Sequence, residues 1–294
     1  MRRALSIPLS LCLFSLAAAP ALAGPSADLA LIDCGHLSCI DVVAPGGATL
    51  RMVLDTGNEN TVLSQAAADR LHLASKPAQG ADGKDIPNIG LTEPTVLDLG
   101  GVKLPATPLL VTPLQTYTKA LGAPVDGVLS YTQLKGWIAD LDFKTNRLHL
   151  TQDAVAKSRS TLRARYVKYR SNAATVLVVD GLAIHGYPIR AQLDLAFECG
   201  LLLFPTALGP VGLSDTKPGA PVSMETYDDG AGLNRIDPPT IAFDRTKLPA
   251  GDNAFLASAD VHPPENDIQA VAGHTLFAGH RLVLDFVNNQ VGVD

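Results

Sequence analysis

The sequence predicts an all-β molecule with a few short helices, folded as two β-rich lobes related by internal duplication. Three observations carry this expectation. The first is composition: 294 residues, 47% of them hydrophobic and only 5% aromatic, with 25 Gly and 21 Pro. That balance supplies sizeable cores and favours many short strands and turns over long helices. The second is a repeated approach to an aspartate. "CIDVVAPGGATLRMVLDTGNENTVLS" and "TVLVVDGLAIHGYPIRAQLDLAFECGLLLF" each read as strand, turn, strand and Asp. A slide of 139 positions pairs Arg51 with Arg190, Leu54 with Leu193, Asp55 with Asp194, Glu59 with Glu198 and Leu63 with Leu202. The third is a repeated ending. "GWIADLDFKTNRLHL" matches "GHRLVLDFVNNQVGV" at a slide of 143, pairing Gly136 with Gly279, Leu141-Asp142-Phe143 with Leu284-Asp285-Phe286, and Asn146 with Asn289.

Residues 1–23 read as a secretory signal: Arg2 and Arg3, then an apolar run, then the small-residue site Ala21-Leu22-Ala23. The chain is therefore expected to be secreted or periplasmic, with no stable membrane insertion once the signal is removed. The remaining chain has 21 basic and 29 acidic residues, a net charge of −8, which argues against nucleic acid as a partner. In an oxidising compartment Cys34 and Cys39 are expected to form a disulfide, adding about 2 kcal/mol by closing a small loop. Cys199, in an apolar run, reads as a buried hydrophobe.

Along the first lobe, taken as residues 27–155, Pro45-Gly46-Gly47 signals a hairpin. Ser64 is a plausible N-cap for one short helix within Ser64–Leu73. Residues 76–94, rich in Gly, Pro, Asp and Asn, read as a long loop or hairpin tip. The block Lys157–Arg170 holds six cations and no acid. It reads as a solvated edge strand, with an interlobe linker at 156–164. The second lobe, 165–294, has its turn at Asp180-Gly181 and a loop-like stretch over 214–240.

Three segments carry a resemblance to the pepsin-like and retropepsin-like aspartic peptidases. These are Asp55-Thr56-Gly57 after an apolar strand, "APVDGVLSY" (Ala123–Tyr131), and "VAGHTLFAGHRLVLDFVNNQVGV" (Val271–Val293). The resemblance implies two pepsin-like β lobes, each offering one Asp. It also implies a polypeptide held extended in the cleft between them, and hydrolysis of a peptide bond by water activated between the carboxylates of Asp55 and Asp194. No cofactor and no metal is implied. A single chain supplies both lobes, so a monomer suffices. Chemically, one ionised carboxylate takes a proton from water while the neutral one polarises the carbonyl. At about 3 Å and an effective dielectric near 20, repulsion between two carboxylates is roughly 5 kcal/mol, so the pair keeps one proton well above the ordinary range. Carboxyl groups about 8 Å or more apart could not do this.

Supporting roles fall to Thr56, whose hydroxyl can bond across to the opposite loop, and to Gly57, which allows close approach. Asn58 can donate to the carboxylate. The sequence also departs from the family pattern. The second turn is Asp194-Leu195-Ala196, without the hydroxyl and the Gly. No Tyr stands in Gly80–Thr92, where the covering hairpin (flap) is expected. Ser130 stands where the family usually has Gly. An alternative therefore stays open: a catalytically impaired pseudo-peptidase that binds extended peptides in the cleft. Locally, Asp55 could also be a polar strand end. His274 and His280 read as structural or exposed, and no His-Glu-x-x-His helix or Gly-x-Ser-x-Gly elbow occurs.

Overall fold

The computed structural model describes residues 24–80, 82–169, 174–214, 233–237, 239–248, 255–258 and 267–294. The signal-like residues 1–23, and all of the 214–240 stretch except 214, 233–237, 239 and 240, lie outside the described residues. The molecule is mainly β, with short helices at Gln65–Arg70, Gln115–Leu121 and Pro205–Leu208.

The first lobe folds its strands around Asp55. Leu37–Val43 and Thr49–Asp55 pair antiparallel, with Gly46 and Gly47 at positive φ in the turn between them. Gly127–Ser130 then lies parallel to Thr49–Asp55, placing Ser130 opposite Asp55, and antiparallel to Val62–Ser64. Strand neighbours on both sides and cover on both faces explain why the Thr49–Asp55 run is apolar almost without alternation; Leu50, Met52, Val53 and Leu54 are all buried. Ser64 caps the first helix as expected, its hydroxyl accepting from the Ala67 N–H at 3.0 Å.

The second lobe repeats the plan. Thr175–Ile184 pairs antiparallel with Tyr187–Asp194, and Ala270–Gly273 lies parallel to the latter, with Gly273 opposite Asp194. Its turn is at His185-Gly186, both at positive φ, and not at Asp180-Gly181. The register shifts between Asp180 and Leu182, with Gly181 at φ 101°, so that dipeptide makes a bulge inside a long strand. An Asp-Gly pair serves either purpose, since both need a residue free to take positive φ.

The two lobes join through one sheet. Ile138–Asp142 of the first pairs antiparallel with Arg281–Asp285 of the second. Asp140 faces Val283, the residue 143 positions later, so the duplication's pseudo-twofold passes through that pair. Ser26–Ala30 and Arg147–Thr151 extend the sheet on one side, and Gln290–Val293 on the other. Residues 160–164, drawn as linker from the sequence, are strand. Ser160–Arg163 pairs with Gln290–Val293 and Ala164–Lys168 with the second-lobe strand Thr175–Val179. The strand Ser160–Lys168 therefore lies between Gln290–Val293 and Thr175–Ile184 in the sheet and is not the edge strand expected from its basic side chains, because each of its halves is hydrogen-bonded to a neighbour. The predicted loop at 76–94 is a hairpin, Ser75–Gln79 against Asp85–Thr92.

Candidate active site

Each candidate aspartate, Asp55 and Asp194, is the last residue of its strand, where the chain leaves the sheet and its amides become available. The Gly57 N–H donates to Asp55 Oδ1 at 2.7 Å, and the Asn58 N–H also reaches that carboxyl. The Ala196 N–H donates to Asp194 Oδ1 at 3.0 Å, and the Phe197 N–H joins it. The two turns thus hold their carboxyls in the same way although Asp-Thr-Gly faces Asp-Leu-Ala. Asp194 has one donor more: Gln192 Nε2 lies 3.4 Å from Oδ2, and the Tyr169 hydroxyl in turn donates to Gln192 Oε1.

Thr56 binds the lobes together. Its buried hydroxyl donates to the Leu193 carbonyl at 2.9 Å and accepts from the Leu195 N–H at 3.0 Å. Leu195 returns nothing from its side chain, which is buried in the same core cluster as Leu54, Leu129 and Leu193. Half of a two-way clasp is therefore kept, and an apolar contact fills the other half.

Gly57 touches both acids. Its N–H binds Asp55, and a Cβ added to it would lie 2.2 Å from Asp194 Oδ2. With covalent bonds of about 1.5 Å between N, Cα and that Cβ position, these contacts limit the distance between Asp55 Oδ1 and Asp194 Oδ2 to less than roughly 8 Å. Gly57 has no positive φ, so close approach and not backbone freedom requires the Gly here. Ala196 has no positive φ either and is not strained. Its methyl packs against the first-lobe cluster that includes Cys39, Val62 and Val128.

Both acids open into one cavity of about 490 Å³. Burial pushes the Asp55 carboxyl well above the usual range, and the neighbouring Asp194 charge pushes it further. Burial raises Asp194 as well, opposed by the Ala196, Phe197 and Gln192 donors. Two raised, interacting carboxyls hold a proton between them into a range where isolated aspartates are ionised.

Several sequence expectations change here. The Asn58 side chain does not serve the carboxylate; its Oδ1 accepts from the Asn60 N–H at 2.9 Å, a local turn that competes more cheaply for the amide. Its backbone N–H supports Asp55 instead. Ser130 replaces Gly because its hydroxyl has work: it donates to the Asn58 carbonyl at 2.7 Å and caps the short helix that follows. Opposite Asp194, Gly273 has no such room, since a Cβ would meet the Cys199 carbonyl at 2.0 Å. Cys34 and Cys39 are joined in a disulfide, and Cys199 is buried. His274 is a structural residue, its Nε2 2.8 Å from Ser38 Oγ. The sequence reading missed Gln192, Tyr169 and Tyr117, which line the same cavity. Gln192 was within reach, since two residues before Asp194 in a strand shares its face. The two tyrosines carried no local signal.

Comparison with known proteins agrees with this fold. Residues 41–132 match the family model described as aspartyl protease. The fold matches the crystal structure of aspartic proteinase from Irpex lacteus with a TM-score of 0.54 and 11% identity, over 92% of this chain and 97% of that one. No curated protein sequence matches the chain.

Proposed function

We propose, for a chain whose residues 41–132 match the aspartyl protease family model and whose lobes share the pepsin-like fold, that it is a peptidase using Asp55 and Asp194 as its catalytic pair. The observation that carries this reading is the shared cavity, in which Gly57 contacts both carboxyls. Water held between the acids loses a proton to the ionised one, while the neutral one donates to the carbonyl of the scissile bond. Asp194 accepts from three groups and Asp55 from two, so the negative charge rests preferentially on Asp194 and the proton on Asp55.

The test is cleavage of an unfolded protein from acid to neutral pH by wild type, Asp55→Asn and Asp194→Asn. Wild type is expected to cleave, and each variant to lose at least ~10²-fold. Equal cleavage by wild type and Asp55→Asn overturns the assignment. Binding without cleavage by all three gives the pseudo-peptidase alternative.

The protein is further proposed to be exported, from the signal-like residues 1–23, and to act as a monomer, since one chain carries both acids. Sequencing of the mature N-terminus is expected to begin at Gly24. Recovery of intact Met1 in the cytoplasm would refute export.

A further inference from the structure

The helix Gln115–Leu121 brings Tyr117 to the wall of the cavity that contains Asp55 and Asp194. Its ring packs against the first-lobe cluster of Leu37, Val53, Val125 and Val128. Its hydroxyl is buried and has no hydrogen-bond partner among the described residues. Such an orphan is unusual, because a Phe would fill the same apolar space without leaving a buried donor unmet. Burial raises the phenol above its ordinary value, and the charges of Asp55 and Asp194 add to this, so the group keeps its proton and remains a donor.

The helix is held firmly. It ends at Gly122 with φ 64°, and the Cys34–Cys39 hairpin lies against its last carbonyl: a Cβ at Gly35 would be 2.2 Å from the Leu121 oxygen. By contrast, no described residue of the hairpin Ser75–Thr92 lines this cavity, and the hairpin contains no Tyr. One tyrosine of the cleft wall therefore comes from the helix side.

We propose that the Tyr117 hydroxyl donates a hydrogen bond to a main-chain carbonyl of the extended peptide lying across Asp55 and Asp194. It has no partner among the described residues of the free protein and is satisfied in the complex. Every residue of an extended peptide offers a carbonyl, so this contact adds affinity without selecting a side chain. The inference rests on the peptidase reading, and its test separates the two.

Oxidised insulin B chain serves as the extended peptide. In steady-state assays Tyr117→Phe is expected to raise KM roughly three- to tenfold, the worth of one neutral hydrogen bond, with kcat held within about twofold. In the Asp55→Asn background, where the peptide stays intact, calorimetry is expected to show the same loss of affinity on adding Tyr117→Phe. The melting temperature of the free Tyr117→Phe protein is expected to equal or exceed that of wild type. Unchanged affinity in both assays, or a lowered melting temperature with unchanged KM, overturns the role of the hydroxyl. If neither wild type nor Asp55→Asn cleaves, the peptidase assignment fails while the peptide stays intact, and the calorimetric comparison still decides the fate of Tyr117.

Discussion

A Cβ at Gly57 would stand 2.2 Å from an oxygen of Asp194, inside any real contact distance. One methyl group there must displace the carboxyl or separate the lobes. Gly57→Ala is therefore expected to lower kcat at least ~10²-fold, since misplacement of about 1 Å is enough for such a loss. Peptide hydrolysis measured on folded variant checks this. The corresponding position in the second lobe behaves differently, because the Ala196 methyl is already accommodated against Val62 and Val128. Thr56 gives a second residue-scale prediction. Thr56→Val keeps the shape but strands the Leu193 carbonyl and the Leu195 N–H in a buried place. The expected cost is about 2–4 kcal/mol, read as a shifted denaturant midpoint; a cost below 1 kcal/mol would mean that the hydroxyl does not join the lobes.

Among the elements, the repeated ending shows why certain residues recur in both halves. Asn146 and Asn289 both sit at φ 54° in the hairpin turns that follow Asp142 and Asp285, and those acids accept from the turn amides. Asn tolerates this left-handed conformation better than a branched residue would. Two reciprocal contacts cross between the lobes at matching places. The Tyr131 hydroxyl donates to the Thr175 carbonyl at 3.0 Å, while His274 meets Ser38. The interlobe strand pair is further held by Arg281, bidentate to Asp140 at 2.8 Å and bonded to Asp294 at 2.7 Å. These side chains are largely covered, so the ion pair is screened less than a surface one. Arg281→Gln is expected to cost about 1–3 kcal/mol, checked by chemical denaturation. Because the pseudo-twofold passes through this sheet, the loss is expected to appear as reduced stability of both lobes together.

For the whole molecule, the acid pair ties stability to pH. Asp194 is raised to about 6 and Asp55 is raised as well, both mainly by burial. Below the ordinary value of 3.8 both states are protonated and the pair is neutral in its effect on folding. As pH rises from there, the unfolded chain gives up protons that the folded one retains, so stability falls until the folded groups have ionised. His274, lowered to about 4 by burial, has the opposite slope: its stabilisation is lost as pH drops from 6.5 toward 4. Comparing wild type with Asp55→Asn cancels the His274 contribution. The variant is expected to melt several degrees higher at neutral pH, with the gap closing by pH 3. A gap independent of pH would show that the Asp55 carboxyl is not raised in the folded protein.

Much of this was legible in the chain because it depends on local rules. Strand runs, the Gly46-Gly47 turn, the Ser64 cap and the pairing of Asp55 with Asp194 through the 139-residue slide all follow from backbone preference and duplication. The signal-like start and the acidic balance are likewise properties of sequence order and composition. Tertiary structure decided what depends on distance between segments far apart in the chain. It put Gly57 against Asp194, gave Ser130 a carbonyl to bind, moved the second-lobe turn to His185-Gly186, and set Tyr117 on the wall of the cleft. The physical reason is that a residue's conformational preference acts over a few neighbours, whereas steric contact and burial arise only when the two lobes close around a common cavity.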